Sequence, residues 1–285
     1  MKILLTGAAG FTGLFFKSVA EAAEHQVVVL QADLTNKAAL AAEIAQAQPT
    51  AVVHLAAISF VGHADEAAFY AVNVLGTMNL LATVAALPVA PTKVLLASSA
   101  NVYGNCDASP IFETQLPAPN NHYGASKLAM EHMALTYADR LPIVITRPFN
   151  YTGPGQAPQF LIPKLVSHFA RRADGIELGN LHVEREFNDV RMVCEAYLRL
   201  LAQGQPGQIY NVCSGQPYTL QHVINTLERI TSHTMAVDVN PAFVRANEVH
   251  RLCGSPAKLQ AAVGPLGVWG LEDTLQWMLL NPTAI

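Results

Sequence analysis

Three glycines, Gly7, Gly10 and Gly13, restrict the fold of this chain more than any other feature. They follow a short apolar stretch, Lys2 to Thr6, and open a segment, Phe11 to Glu24, whose pattern predicts a helix. A strand turning through such a run into a helix is the start of a βαβ unit. The first glycine lets the chain reverse, the second lets backbone approach a pyrophosphate, and the third lets the helix pack on the sheet. The phosphate then lies at the positive helix N-terminus. The residues expected to face a dinucleotide there are Gly7, Gly10, Phe11, Thr12 and Gly13. The spacing is G-x-x-G-x-x-G rather than G-x-G-x-x-G. A glycine-rich loop without cofactor is the other reading of this stretch taken alone.

The rest of the chain alternates in the same way. Strands are predicted at Gln26 to Leu30, Ala51 to Leu55, Val94 to Ala97, Leu141 to Thr146 and Gln208 to Cys213. Between and after them, helices are predicted at Lys37 to Gln48, Asp65 to Leu87, Asn120 to Arg140, Gln159 to Arg172, Met192 to Ala202, Leu220 to Ile230 and Leu271 to Leu280. This implies an α/β, Rossmann-type doubly wound parallel sheet. From Asn150 onward loops lengthen and elements shorten, so a dinucleotide-binding domain over 1–150 and a smaller α/β substrate lobe over 151–285 are expected. The chain is expected to return to the first domain around 188–213. At 285 residues and 51% hydrophobic, with 13% charged, it has ample material for a core. A net charge of -4 and scattered Lys and Arg argue against a nucleic-acid partner. No apolar run is expected to span a bilayer, which takes about 20 residues. Cys106, Cys194, Cys213 and Cys253 form no C-x-x-C pair. Reduced thiols in a cytoplasmic protein are expected, with no metal site.

The chemistry concentrates in Tyr123-Gly124-Ala125-Ser126-Lys127 and in Ser98-Ser99 upstream. On a helix, positions i and i+4 share a face, which brings Lys127 beside the Tyr123 phenol. A phenol with a pKa of about 10 is poor at proton transfer near neutrality. A neighbouring ammonium is expected to lower that pKa and suit Tyr123 to acid/base work. Ser99, past the strand at Val94 to Ala97, could hold a substrate oxygen next to the phenol. His54-Leu55-Ala56-Ala57 puts small residues at a strand's carboxyl end, where a dinucleotide can lie close. His54 itself reads as a packed core histidine.

Taken in order, the glycine turn, Ser98-Ser99-Ala100-Asn101-Val102-Tyr103-Gly104, the Tyr123 to Lys127 segment and Arg147-Pro148-Phe149-Asn150 resemble the extended short-chain dehydrogenase/reductases. The resemblance covers nearly the whole chain. It implies an NAD or NADP cofactor, without deciding which, and a catalytic set of Ser99, Tyr123 and Lys127, with Lys127 also holding the nicotinamide ribose. Asp33 and Leu34 would lie along the adenine edge, beside Leu55, Ala56 and Ala57. Gln31 stands where most relatives end the second strand in an acidic residue, and much of the following helix-and-strand excursion is missing. Asn73, in Asn-x-x-Gly-Thr, would steady the central sheet, and Ser59 matches a position that touches the hexose.

The same resemblance points to nucleotide sugars. Arg185-Glu186-Phe187-Asn188-Asp189-Val190 and Arg245-Ala246-Asn247-Glu248 resemble segments in which arginine forks hold a diphosphate and a carboxylate holds the ribose. Arg185 and Arg245 would take the diphosphate, Glu248 the ribose, and Asn150 a phosphate or sugar oxygen; Asn101 and Asn180 complete the implied substrate contacts. Asn121 to Ala129, Gly153-Pro154-Gly155-Gln156 and Tyr210 to Gly215 resemble the GDP-mannose branch, making a GDP-linked sugar the expected substrate; in the family, helices matching Asp65 to Leu87 and Asn120 to Arg140 pair, which makes a homodimer the expected assembly. Met192 departs from the acidic residue often found after D-V-x. The implied activity is NAD(P)H-dependent reduction of the C4 ketone of a nucleotide 6-deoxy-4-keto-hexose. A 4-epimerase or 4,6-dehydratase with tightly held NAD is the alternative, and a non-enzymatic cofactor sensor a further one. Related dehydratases carry Glu where this chain has Asn101, and Asn cannot take up a proton.

Overall fold

The computed structural model describes residues 1–243 and 250–281. Arg245 and Glu248 therefore lie outside the described residues. Six strands form one sheet: β1 (Lys2–Thr6), β2 (Gln26–Val29), β3 (Ala51–His54), β4 (Lys93–Ala97), β5 (Ile143–Pro148) and β6 (Ile209–Val212). Their order is β6-β5-β4-β3-β1-β2, and every pairing is parallel. The strand order reverses at β1 and β3, so the crevice beyond their carboxyl ends is where such a sheet binds ligands.

Side-chain alternation along each strand builds two cores. On one face Ile3, Leu5, Val53 and Leu95 pack with Phe16 and Ala20 of the first helix, Phe11–Ala22, and with Val193, Tyr197 and Leu200 of Val190–Gln203. On the other, Leu4, Val52, Val94 and Leu96 pack with Leu40 and Ile44 of Lys37–Ala47, with Leu80 and Val84, and with Met130 of the tyrosine helix, His122–Leu135. Central strand β3 is buried throughout, whereas β2, at the sheet's edge, is only partly so. From β2 the chain passes directly to Lys37–Ala47, without another strand beyond the edge.

The second half contributes the helix Val190–Gln203 and β6 to this sheet and, from segments before and after them, builds a smaller lobe. A three-stranded sheet joins Pro217–Thr219, Glu184–Glu186 and Arg251–Leu252, and a two-stranded pair joins Ala236–Val239 to Gly175–Leu178. Helices Leu161–Ala170, Leu220–Thr231 and Leu271–Leu280 cover them around Leu165, Phe169, Ile224, Leu227 and Leu275. These lobe strands, two to four residues each, carry too little periodicity to be predicted.

One long helix bears on two expectations, and one of them is corrected. The helix Glu66–Ala85 is 20 residues long and apolar enough to meet the length test for a membrane span. Leu80, Leu81 and Val84 instead sit in the sheet's core, as a core helix requires. That helix is also not regular: Ala71–Gly76 forms a π-turn. The wider turn carries Asn73, whose side chain accepts from Ile58 N at 2.9 Å and donates to Ile58 O at 3.1 Å and Ser126 Oγ at 3.0 Å. Asn73 thus pins the loop after β3 to the tyrosine helix rather than steadying the sheet.

Candidate active site

The glycine turn forms at the carboxyl end of β1. Gly7 has φ of 70°, and a Cβ there would come within 2.6 Å of Ala56 N. Only glycine allows both that conformation and that approach to the chain just after β3. A Cβ on Gly13 would lie 2.1 Å from Gly7 O, so the helix can seat on the turn only without one. Gly10 caps Phe11–Ala22 without any side-chain hydrogen bond. The first-turn N–H groups are thus left without a side-chain cap, the arrangement that suits a pyrophosphate. The Thr12 and Tyr151 hydroxyls bond each other at 2.7 Å, and the Phe11 and Tyr151 rings stack with centroids 6.1 Å apart.

His54 fixes the end of β3. Thr6 Oγ1 accepts from Leu55 N at 3.2 Å and Ala56 N at 3.1 Å, so its proton is free for His54 Nδ1, 2.7 Å away. The imidazole then donates from Nε2 to Thr77 Oγ1 at 2.8 Å, and Thr77 donates to Asn73 O. Burial, followed by the Lys127 charge, pushes His54 down to about 3 and keeps it neutral. Leu55, Ala56 and Ala57, all half-buried, follow directly and face the crevice's rim.

At the end of β2 the loop is closed by its own carboxylates. Asp33 Oδ1 accepts from both Thr35 N and Thr35 Oγ1 at 2.7 Å, and these bonds lower its pKa. Leu34 is buried over Gly76, and its carbonyl accepts from Asn79 Nδ2. Glu43, from the helix Lys37–Ala47, accepts from Gln31 N at 2.7 Å and Ala32 N at 2.8 Å. A carboxylate thus does sit at the strand's end, that of Glu43, with each of its oxygens accepting from a backbone N–H. Its distance along the chain hides it from motif reading.

Ser99, Asn101 and Tyr123 come together around the tyrosine helix's first turn. Asn121 caps that helix by accepting from Gly124 N at 2.8 Å. A Cβ on Gly124 would lie 2.6 Å from Asn101 O, so glycine at this position lets the Ala100–Tyr103 turn press against the helix. Ser99 Oγ accepts from Asn101 N and from Asn101 Nδ2, both at 3.1 Å. With its lone pairs so engaged, the Ser99 proton points outward as a donor. It serves Tyr123, which is 8% exposed. Burial raises the phenol's pKa, and the hydrogen bond with Ser99 pulls it back. The expectation that Lys127 lowers this pKa is corrected: burial dominates, and Ser99 supplies the opposing pull. Lys127 Nζ donates to Ala97 O at 2.8 Å, and burial lowers its own pKa to about 8, against an upward pull from Glu131. Asn101, expected on the substrate, spends its amide orienting Ser99.

The other expected contacts are spread over the rim and the lobe. Ser59 and Asn150 are exposed; Asn150 O accepts from Asn188 N and Nδ2. Phe60 meets Phe160 edge-on at 5.7 Å, which joins the loop after β3 to the lobe. Asn180 Oδ1 accepts from His182 N. Arg185, on the lobe strand Glu184–Glu186, donates to Glu184 O at 2.8 Å and His250 O at 3.3 Å. Its neighbour Glu186 is fully buried and accepts from Ser214 N, Gly215 N and Gly254 N. Sequence reasoning passed over Glu43, Glu131 and Glu186. Glu131 has a readable signal in its place four residues after Lys127, and Glu186 in the motif that begins at Arg185, whereas Glu43 has none.

A model of the family described as GDP-mannose 4,6 dehydratase matches residues 15–278. The chain is 37% identical over 269 residues to the GDP-6-deoxy-D-talose 4-dehydrogenase of Aggregatibacter actinomycetemcomitans, spanning 93% of this chain and 92% of that one. It is 35% identical over 293 residues to the GDP-6-deoxy-D-mannose reductase of Pseudomonas aeruginosa, spanning 98% and 94%. The solved structure of RMD from Pseudomonas aeruginosa complexed with NADPH superposes with a TM-score of 0.91 at 33% identity, over 99% of this chain and 98% of that one. A doubly wound sheet with Ser, Tyr and Lys at the crevice defines a class, the extended short-chain dehydrogenase/reductases. The chain belongs to the GDP-mannose 4,6 dehydratase family within it, and so to the NAD(P)-dependent oxidoreductases.

Proposed function

We propose that this protein reduces the C4 ketone of GDP-6-deoxy-4-keto-mannose, using NADH or NADPH, to give GDP-rhamnose. The observation that carries this reading is the Asn101–Ser99–Tyr123 arrangement. It offers one oriented hydroxyl donor and one phenol, and where an elimination would need a second acid/base it offers an amide. The two sugar-nucleotide relatives are named for 6-deoxy-talose and 6-deoxy-mannose, which differ only in configuration at C4. Both names fit reaction at that carbon, and the product's C4 configuration is the finer part of the proposal.

The glycine turn and the uncapped first turn of Phe11–Ala22 would hold the pyrophosphate, and Leu55 to Ala57 would let the dinucleotide lie close to the end of β3. When bound, the reduced nicotinamide supplies the hydride. Tyr123 gives its proton to the oxygen of the reduced ketone. The upward pull of burial on its pKa makes the phenol a proton holder at neutral pH, suited to this direction. With the sugar bound, the single Ser99 proton would turn from Tyr123 to the same oxygen and so stabilise negative charge as it develops. Lys127, as an ammonium, restores charge balance when the phenol has released its proton. Arg185, with Arg245 and Glu248, would hold the diphosphate and ribose, while Ser59, Asn150 and Asn180 would line the sugar's approach. The division at residue 150, with the chain crossing back, gives the substrate a lobe of its own. Tyr70, Leu75 and Leu135, exposed on Glu66–Ala85 and His122–Leu135, support a homodimer through those helices.

The test offers the protein reduced cofactor with a panel of nucleotide 4-keto sugars and resolves the products by NMR. GDP-rhamnose from the GDP-linked ketone is expected. GDP-6-deoxy-talose would correct the stereochemistry alone. A 4-keto product formed from GDP-mannose would replace reduction by dehydration.

A further inference from the structure

Beneath the site lies a buried ion pair that proton transfer to the sugar does not use. Glu131 and Arg147 have side chains 2% and 3% exposed. Arg147 Nε donates to Glu131 Oε1 at 2.9 Å and its Nη2 to Oε2 at 2.6 Å. The Ser98 hydroxyl donates to Oε1 at 2.5 Å. The guanidinium lies over the Tyr103 ring, 4.8 Å from its centroid. Buried pairs of this kind can often be replaced by neutral residues of similar volume without loss of stability, so stability alone is a poor account of one. Its location is more informative. Tyr123, Lys127 and Glu131 follow one another at i, i+4 and i+8, along one face of the tyrosine helix.

We propose that Glu131 is a positioning residue: fixed in place by its hydrogen bonds from Arg147 and Ser98, it is the counter-charge that keeps Lys127 an ammonium beside Tyr123. This rests on the reading of Tyr123 and Lys127 as the reductase pair. Lys127 is 4% exposed, and its ammonium is otherwise met by a neutral carbonyl, that of Ala97. Burial drives its pKa down to about 8, and Glu131 is the group that pulls it back up. Among the described residues, the other ionisable groups around it do not offer an anion. His54, on β3, stays neutral down to about pH 3. Tyr123, one turn earlier on the same helix, has its pKa raised. On β5, Arg147 is paired to Glu131, and beyond it the Tyr103 phenol is pushed up to about 12. Take Glu131 away, and the lysine should lose its proton near working pH.

The test reads the lysine directly, without substrate or cofactor. Protein labelled with ¹³C at lysine Cε is titrated by NMR, with Lys127→Met identifying the resonance. The wild-type midpoint is expected near 8. In Glu131→Gln it should fall by about one unit or more, the usual effect of losing a close opposite charge. Because Glu131→Gln strands Arg147 as a lone buried cation, a second variant, Glu131→Gln with Arg147→Met, removes both charges while keeping volume. Its midpoint should also fall, and the basic limb of the kcat/KM profile should move with it. An unchanged Lys127 midpoint in the folded double variant overturns the proposal. If the midpoints fall as expected but no nucleotide 4-keto sugar is reduced, the proposal about Glu131's hold on Lys127 stands and the proposed function fails.

Discussion

Acid should unfold this protein partly through His54, by an amount that can be worked out from its surroundings. The imidazole is 2% exposed, bonded at both nitrogens, and held neutral with a pKa of about 3 against an ordinary 6.5. Between those two values the unfolded chain binds a proton at His54 that the folded chain refuses. Stability therefore rises with pH across the window and is lost as pH falls from 6.5 towards 3. At about 1.4 kcal/mol per unit, the full span amounts to roughly 5 kcal/mol. Over the practical interval from about pH 7.5 to 4.5, it comes to roughly 2.5–3 kcal/mol. The comparison is with His54→Gln, which cannot ionise. Urea unfolding followed by far-UV circular dichroism gives both stabilities at each pH. The wild type should lose roughly 2.5–3 kcal/mol more than the variant over that interval. Parallel losses in the two proteins would refute the reasoning.

Other consequences are equally specific. Tyr123→Phe removes the proton donor with little change of shape, so kcat should fall by about a hundredfold or more while cofactor affinity, read by fluorescence quenching, stays put. Near-normal turnover would take Tyr123 out of the mechanism. Glu43→Lys replaces the carboxylate at the end of β2 with a cation, so the ratio of NADPH to NADH affinity should rise by about tenfold or more, as one charge-assisted contact allows. An unchanged ratio by calorimetry would place the adenosine elsewhere. Light scattering at micromolar concentration should give twice the mass of the 30.6 kDa chain; a monomer's mass would count against pairing through the two long helices.

Much of the fold is legible in the sequence because the sheet is buried on both faces. Strands such as Ala51–His54 and Lys93–Ala97 are then apolar at every position but one terminal residue, His54 or Lys93, and the glycine turn fixes where the first strand of the sheet ends. The lobe is less legible because its strands are short and take their register from distant partners, as Glu184–Glu186 does from Pro217–Thr219 and Arg251–Leu252. In the site, spacing along one helix brings Tyr123 and Lys127 together in principle. Burial, which outweighs the expected charge effect on Tyr123, is a property of the packed molecule and has no local signature. Asn101's grip on Ser99 and Glu43's position at β2 likewise arise from turns and helix packing that a linear motif does not encode.

The central claim, net reduction at C4, is tested most directly by stoichiometry. Protein, added NAD(P)H and GDP-6-deoxy-4-keto-mannose are incubated together, and nicotinamide absorbance is followed alongside reduced sugar. One reduced cofactor should be consumed for each ketone reduced, until one of the two is exhausted. Interconversion of C4 epimers with no net consumption of added NAD(P)H would contradict the reductase account and put an epimerase in its place.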